Sequence, residues 1–354
     1  DHQATDIEII KHLAHHNILL SKEKIIHSYP HCWRCDTPLL NYASSSWFVK
    51  VTDIKEKLLA QNKKVKWVPE EIGEGRFGKW LEGARDWAVS RSRFWGAPLP
   101  VWQNADKTKS VVIDSIASLK KHTKKSNNTF LFVRHGEAEH NVLDICSSDP
   151  KNPHHLTEKG REHVKALAQK LKSEKIDVVI RSPYVRAEET TDIIAEEISF
   201  NKSQIKVDER VGEYGFGEFN LKPWSEYLLF RKGNEFDMDF KVPGGESLQE
   251  AKNRFGKFIE DVDSQYSNKK ILVVTHGIGF QVVPAVVEAL DGKASAEAIR
   301  STFRKIPDAH LESYVWNNLP HNEKFELDLH RPYIDEVVLE IDGEEYKRIP
   351  EVFR

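Results

Sequence analysis

Two histidines, two arginines and a glutamate have the residue types needed to move a phosphoryl group, and the sequence places most of them just after apolar runs. The run 130–133 leads into Arg134-His135-Gly136-Glu137, 176–180 leads into Arg181-Ser182-Pro183, and 271–274 leads into Thr275-His276-Gly277. A neutral imidazole can attack phosphorus in line and hold the group as a phosphohistidine, splitting one hard displacement into two easier ones. Such a transfer has little other covalent chemistry, so its rate must come from positioning and from charge stabilisation of the equatorial oxygens. Planar guanidiniums offer paired donors to those oxygens, which makes Arg134 and Arg186 the natural forks. The departing alkoxide needs a proton from a carboxylic acid, and Glu213, in the glycine-containing loop 208–217, is the candidate.

The elements that must carry these groups are also legible. Thr157 can cap a helix whose apolar positions Val164, Leu167, Ala168 and Leu171 follow helical spacing, and 186–198 repeats the pattern with Ala187, Thr190, Ile194 and Ile198. A third helix starts near Glu246 and presents Leu248, Ala251, Phe255, Ile259 and Val262 on one face. Helices between the apolar runs make the strands parallel neighbours, and the carboxyl ends of such strands line a ligand crevice. One histidine at a strand end is ordinarily a satisfied polar residue, and one arginine at a helix start is ordinarily solvated. Convergence of the whole set is what carries the chemical reading.

A chain of 354 residues is long enough for about two domains. Its net charge of -3 and pI near 6.6 argue against a generally basic nucleic-acid binder. No apolar run has spanning length and the first residues are polar and acidic, so the expectation is a cytoplasmic protein with no membrane partner, although the sequence starts at Asp1 without methionine. Three cysteines are too few for a disulfide framework. Polar, aperiodic stretches at 120–128 and 317–324 read as linkers around an insertion. The predicted organisation is therefore 1–119, an inserted domain 120–324, and a resumed segment 325–354.

The central motifs resemble the histidine phosphatase, or phosphoglycerate mutase-like, family. The matching pieces are residues 134–137 with Asn141, then 156–160, 182–190, 209–217, 243–247 and 275–277, in order. The resemblance implies a parallel-sheet, three-layer α/β domain with His135 as phosphorylated nucleophile. Arg134, Arg186 and His276 would grip the phosphoryl group, Glu213 would donate the proton, and Asn141 would be an accessory phosphate contact. Glu137 and Glu246 are read as supports. No cofactor is expected for this domain, and its partner would be a small phosphorylated substrate. The segment Gly277-Ile278-Gly279-Phe280 after the second histidine departs from the mutase pattern, which favours hydrolysis over transfer to a second acceptor.

The flanks carry aromatic residues interleaved with arginines and tight turns: His31-Cys32-Trp33-Arg34-Cys35, Ser46-Trp47-Phe48, Asp86-Trp87 running to Gly96, and Ala97 to Trp102. Such residues suit either a nucleic-acid-facing surface or a rigid packed wall, and by themselves favour the wall. Their wording resembles isoleucyl-tRNA synthetases of class I over about 1–118, resuming at 328–335 and 349–353. That resemblance implies part of a Rossmann-type catalytic body interrupted by the insertion, and, for a full-length parent, tRNA for isoleucine as partner with ATP and magnesium as cofactors. The ATP-binding signatures of that family are absent from this sequence, so the chain alone is not expected to charge tRNA. Cys32 and Cys35 have the spacing of half a zinc site, but a lone pair is more often two packed thiols; His31 could substitute as a ligand, though nothing in the spacing requires it. Two other readings of the insert stay open here: an idle spacer or interaction module, and a mutase.

Overall fold

The three apolar runs pair side by side as the centre of a sheet. The computed structural model describes residues 2–23, 25–26, 28–39, 46–89, 99–303 and 306–348. In the second of its two compact units, Ser92–Arg354, the chain runs β3 (Val101–Asn104), β4 (Ser110–Val112) and α5 (Ile116–His122). It continues through β5 (Thr129–Arg134), α6 (Glu139–Val142), α7 (Glu158–Leu171), β6 (Val178–Arg181), α8 (Val185–Glu197) and β7 (Lys206–Val207). Then come α9 (Trp224–Phe230), α10 (Leu248–Gln265), β8 (Lys270–Thr275), α11 (Gly277–Val287), α12 (Gly292–Thr302) and β9 (Leu311–Tyr314), and finally β10 (Val338–Ile341) and β11 (Glu344–Arg348).

The central sheet has the order β7-β6-β8-β5-β9. β6, β8 and β5 are parallel neighbours, as their sequence pattern requires, whereas β9 closes the edge antiparallel to β5. Alternation along the strands separates two cores. Leu131, Val133, Leu272 and Val274 face α7 and α8 through Val164, Leu167, Leu171, Ala187 and Ile194. Phe130, Phe132, Ile271 and Val273 face α10 and α11 through Phe255, Ile259, Val282 and Val286. The result is a three-layer α/β domain. Helix starts are fixed locally: Thr157 accepts a hydrogen bond from the Gly160 amide, and Ser247 and Glu250 form a reciprocal capping pair at α10.

Register decides what the strand ends hold. Arg134 pairs with Thr275 across β5 and β8, and Arg181 pairs with Val274 across β6 and β8. Beyond those pairs the ladder continues for one more bond on each side, from the His135 amide to the Thr275 carbonyl and from the Ser182 amide to the Val274 carbonyl, both 3.0 Å. His135, Ser182 and His276 therefore emerge together at the carboxyl edge.

A second, antiparallel sheet has the order β10-β11-β3-β4. Its strands come from residues 101–112 and 338–348, on either side of the central domain in sequence. Trp102, Leu339 and Tyr346 form its buried core with Ile113, Leu119, Leu319, Ile334 and Val337. The two stretches read as linkers are partly built into this structure. Lys120, Lys121 and His122 form the last turn of α5, where cations complement the helix dipole. Asn317 donates to the Val287 carbonyl at 2.9 Å, and Leu319 is buried. Segments 99–119 and 325–348 thus share a compact unit with 120–324.

The first unit, Asp1–Arg91, contains α1 (His2–His15), β1 (Phe48–Val49), α2 (Lys55–Asn62), α3 (Glu71–Glu74), α4 (Arg76–Glu82) and β2 (Trp87–Ala88). Trp67 lies so close to Gly73 that a Cβ there would meet its ring at 2.3 Å. Among the unit's described residues Leu81 is the one large apolar side chain that is buried. Trp33, Phe48 and Trp87 are exposed within the unit, so the packed-wall reading holds for Trp102 and not for them. Motif residues 90–98 and 349–353 lie outside the described residues. No helix among the described residues is long and apolar enough to cross a membrane.

Candidate active site

His135 leaves β5 fully buried, and its Nδ1 lies 2.7 Å from the Gly136 carbonyl. A proton on Nδ1 donated to that carbonyl leaves Nε2 with its lone pair, and the Arg186 Nε–H points at this nitrogen from 3.3 Å. The loop can lie against the start of α7 because two glycines meet there. A Cβ on Gly136 would come within 2.7 Å of the Gly160 carbonyl oxygen, and one on Gly160 within 2.1 Å of the Glu137 carbonyl oxygen. Glu137 itself accepts hydrogen bonds from the Thr157 hydroxyl and the Lys159 ammonium at 2.8 and 2.7 Å.

His276 caps the start of α11, also fully buried, with its ring centroid 5.1 Å from that of His135. Its Nε2 sits 2.7 Å from the Ser182 hydroxyl, while its Nδ1 has no hydrogen-bond partner and lies 3.8 Å from a Glu213 carboxylate oxygen. Arg186, in the first turn of α8, is 1 % exposed. It donates to the Ser147 hydroxyl and carbonyl at 3.2 and 3.0 Å and stacks over the Tyr184 ring, with no carboxylate in ion-pair range among the described residues. Arg134 is anchored through the Ile306 carbonyl at 2.6 Å and Asp308 at 3.1 Å, and its Nε has no partner.

Electrostatics follow from burial. Removal from water pushes His135 and His276 well below the usual imidazole value, and the nearby Arg186 and Arg134 charges push the same way. Both rings are neutral at physiological pH. Burial also lowers Arg186 to about 10, which leaves its guanidinium charged. The site therefore joins neutral imidazoles to fixed cations, which suits an anion.

Glu213 sits just after Gly212 in the loop following β7, with one oxygen accepting from the Tyr214 amide at 2.8 Å. The loop is held from behind by Arg254, which donates to the carbonyls of Arg210, Gly212 and Glu213 and pairs with Glu246 at 2.6 Å. Asn141 borders the adjoining cavity, but its carbonyl oxygen accepts from the Ala138 amide and caps α6. One nitrogen of each of His135 and His276 and one Glu213 oxygen lie within 4.8 Å of one another.

A cavity of about 400 Å³ adjoins this cluster, touching it through Arg134, Ser147 and Glu213; the buried His135, Arg186 and His276 are not among its lining residues. Sequence reasoning missed four of the groups involved. Ser147 and His140 carried no distinguishing signal, yet Ser147 holds Arg186, and His140 is buried with its ring 5.4 Å from His135. Ser182 stood inside a recognised motif without a role, and Arg254 lay on the apolar helix 248–265 as one charge among several.

Cys32 and Cys35 lie in a tight turn in which the Cys32 amide donates to the Thr37 carbonyl and the Asp36 amide to the Cys32 carbonyl, both 2.8 Å. Hydrogen bonding with Thr37 lowers the exposed Cys35 thiol. No third histidine, cysteine or carboxylate completes a set with them among the described residues; His31 turns its Nδ1 to the Tyr29 carbonyl.

Residues 4–145 match the family model for tRNA synthetases class I (I, L, M and V). Isoleucine–tRNA ligases of Treponema denticola and Cutibacterium acnes are 52% and 41% identical over 115 and 157 residues, or 32% and 41% of this chain. The chain spans only 10% and 14% of the length of those relatives. Among solved structures, a mycobacterial glucosyl-3-phosphoglycerate phosphatase aligns at 18% identity over 52% of this chain and 88% of its own, with a TM-score of 0.46. A phosphoserine phosphatase mutant from Entamoeba histolytica in complex with phosphoserine aligns at 22% over 52% and 89%, with a TM-score of 0.43. Residues 130–306, half of the chain, match the model of the histidine phosphatase superfamily (branch 1), and the chain belongs to that superfamily, with a segment on its N-terminal side that is similar to class I tRNA synthetases.

Proposed function

We propose that the domain within 120–324 hydrolyses phosphate monoesters through a phosphohistidine, and that it is an insertion into a synthetase body formed by 1–119 and 325–354. His135 Nε2 attacks phosphorus as the ester oxygen departs, and Glu213, as the acid, gives that oxygen its proton. Water then attacks the phosphohistidine, Glu213 takes a proton from it, and the N–P bond breaks to release phosphate. Arg134, Arg186 and His276 hold the equatorial oxygens, and Asn141 lies at the margin of the same site.

The observation that carries this reading is the hydrogen-bond state of His135. Its Nδ1 faces a carbonyl, its Nε2 faces a guanidinium, and burial keeps it neutral, so the ring is prepared as a nucleophile beside fixed positive charge. Rapid acid quench after mixing with a radiolabelled phosphate monoester is expected to trap label on the native chain and none on His135→Ala. An unlabelled native chain would leave the domain as a spacer, and label passed to a second acceptor rather than water would make it a mutase.

For the flanks, the identity to isoleucine–tRNA ligases supports a full-length parent that charges tRNA with isoleucine, for which ATP and magnesium would be the cofactors; Cys32 and Cys35 would supply only half of a zinc site. Magnesium in such a parent would serve the nucleotide phosphates; nothing in the phosphatase chemistry above is routed through a metal.

A further inference from the structure

Ser182 stands at the catalytic edge with no part in the chemistry above, yet it and His276 are both fully buried and their side chains meet at 2.7 Å, hydroxyl to Nε2. The end of β6 delivers it there. Its amide donates to the Val274 carbonyl at 3.0 Å, and its own carbonyl accepts from the Arg181 guanidinium at 3.1 Å. Pro183 follows and restricts the turn into α8. The His276 ring is held as well, with the rings of His135 and Tyr184 packed edge-on against it at 5.1 and 4.7 Å between centroids.

Burial and the neighbouring guanidiniums keep His276 uncharged, so its ring carries one N–H and one lone pair. The contact with Ser182 fits either order. With the hydrogen on Nε2, the serine oxygen accepts it, and the hydroxyl hydrogen is left buried with no acceptor among the described residues. Nδ1, itself buried and unpartnered, would then turn a lone pair toward phosphoryl oxygens that are also acceptors. With the hydrogen on Nδ1, the serine donates to Nε2, and Nδ1–H remains open as a donor on the side of Glu213, 3.8 Å from its carboxylate. Leaving a buried hydroxyl hydrogen unpaired is costly, and only the second order avoids it. His135 reaches the same tautomer by another route, through its Nδ1 contact with the Gly136 carbonyl. One protonation pattern then serves two ends: His135 offers a lone pair to phosphorus, and His276 offers a hydrogen to oxygen.

We propose that Ser182 is a positioning residue that sets the tautomer of His276: its hydroxyl donates to Nε2 and so keeps the ring hydrogen on Nδ1, where it binds an equatorial oxygen of the phosphoryl group during transfer. The proposal rests on the phosphatase reading of this site and says how one of its members is made a donor.

Nitrogen NMR of the full chain labelled in histidine, with His276→Gln to assign the signals, reads the tautomer directly. The native ring is expected to show the Nδ1–H pattern, and Ser182→Ala to lose it. In the alanine variant, formation of phosphohistidine from saturating phenyl phosphate is expected to slow at least about tenfold. Inhibition by orthovanadate, which adopts the geometry of the group in transfer, is expected to weaken by a larger factor than inhibition by phosphate. Ser182→Thr, which keeps the hydroxyl, is expected to retain the native tautomer and most of the rate. A role in packing alone would weaken both inhibitors alike and leave the tautomer unchanged, which overturns the proposal. So does an Nε2–H pattern in the native chain, or an alanine variant with native tautomer and native rate; each leaves the phosphatase reading standing. If the alanine variant does not fold, the native spectrum and the threonine variant decide. Absence of a phosphohistidine on the native chain overturns both.

Discussion

At the scale of single residues, the chemistry depends on imidazoles that stay uncharged. Burial depresses His135, His276 and His140, the last to about 2, so the unfolded chain binds more protons than the folded one below the ordinary imidazole value of about 6.5. Their contribution to stability is complete above about pH 6.5 and falls as pH drops toward the lowered folded values. Urea unfolding at pH 5 is therefore expected to show a lower midpoint than at pH 7, and His140→Gln is expected to flatten that dependence by about one proton. A midpoint that rose on acidification would contradict neutral burial. His135, His276 and Arg134 were legible because each follows a hydrophobic run within two residues, and Arg186 because a strand and a turn precede it. Ser147 was not, because its link to Arg186 joins a surface-like loop to a helix start that nothing in the local pattern connects.

At the scale of elements, the nucleophile loop and helix α7 are shaped for each other. Gly160→Ala would drive a Cβ into the Glu137 carbonyl, backbone against backbone, so neither side can yield by turning a side chain. The expected cost is about 1–3 kcal/mol in denaturant unfolding, with a loss of turnover larger than the lost stability accounts for, because the displaced segment carries His135. Activity unchanged in a destabilised variant would separate the loop from the site. The strands and the long helices were readable from period alone. The outer sheet was not: β3 and β4 read as punctuation among prolines and tryptophans, and their partners β10 and β11 lie beyond the central domain. Local pattern does not show pairing across such a distance. The linker reading of 120–128 and 317–324 was incomplete for a related reason, since some residues there cap and bridge elements that only the assembled domain brings close.

At the scale of the whole molecule, the two compact units differ in what they bury. Ser92–Arg354 contains three apolar clusters, whereas Asp1–Arg91 buries Leu81 and leaves Trp80, Trp87 and Val68 largely exposed among its described residues. A segment with so little core does not recover its conformational entropy by itself. Expressed separately, the second unit is expected to melt cooperatively and the first to show no cooperative transition by circular dichroism; a sharp transition from 1–91 would refute this. The outer sheet has a further consequence, for the order of events as the chain is made. Trp102 donates to the Val337 carbonyl 235 positions onward, and the Lys124 amide meets the carbonyl of Val338. An open loop of that length is slow to close, since distant contacts repay their entropy only once the ends have met. Collapse of the intervening α/β body would bring those ends together in advance, so β3 and β4 would wait, half-built, until the last strands had been synthesised and the body behind them had already set.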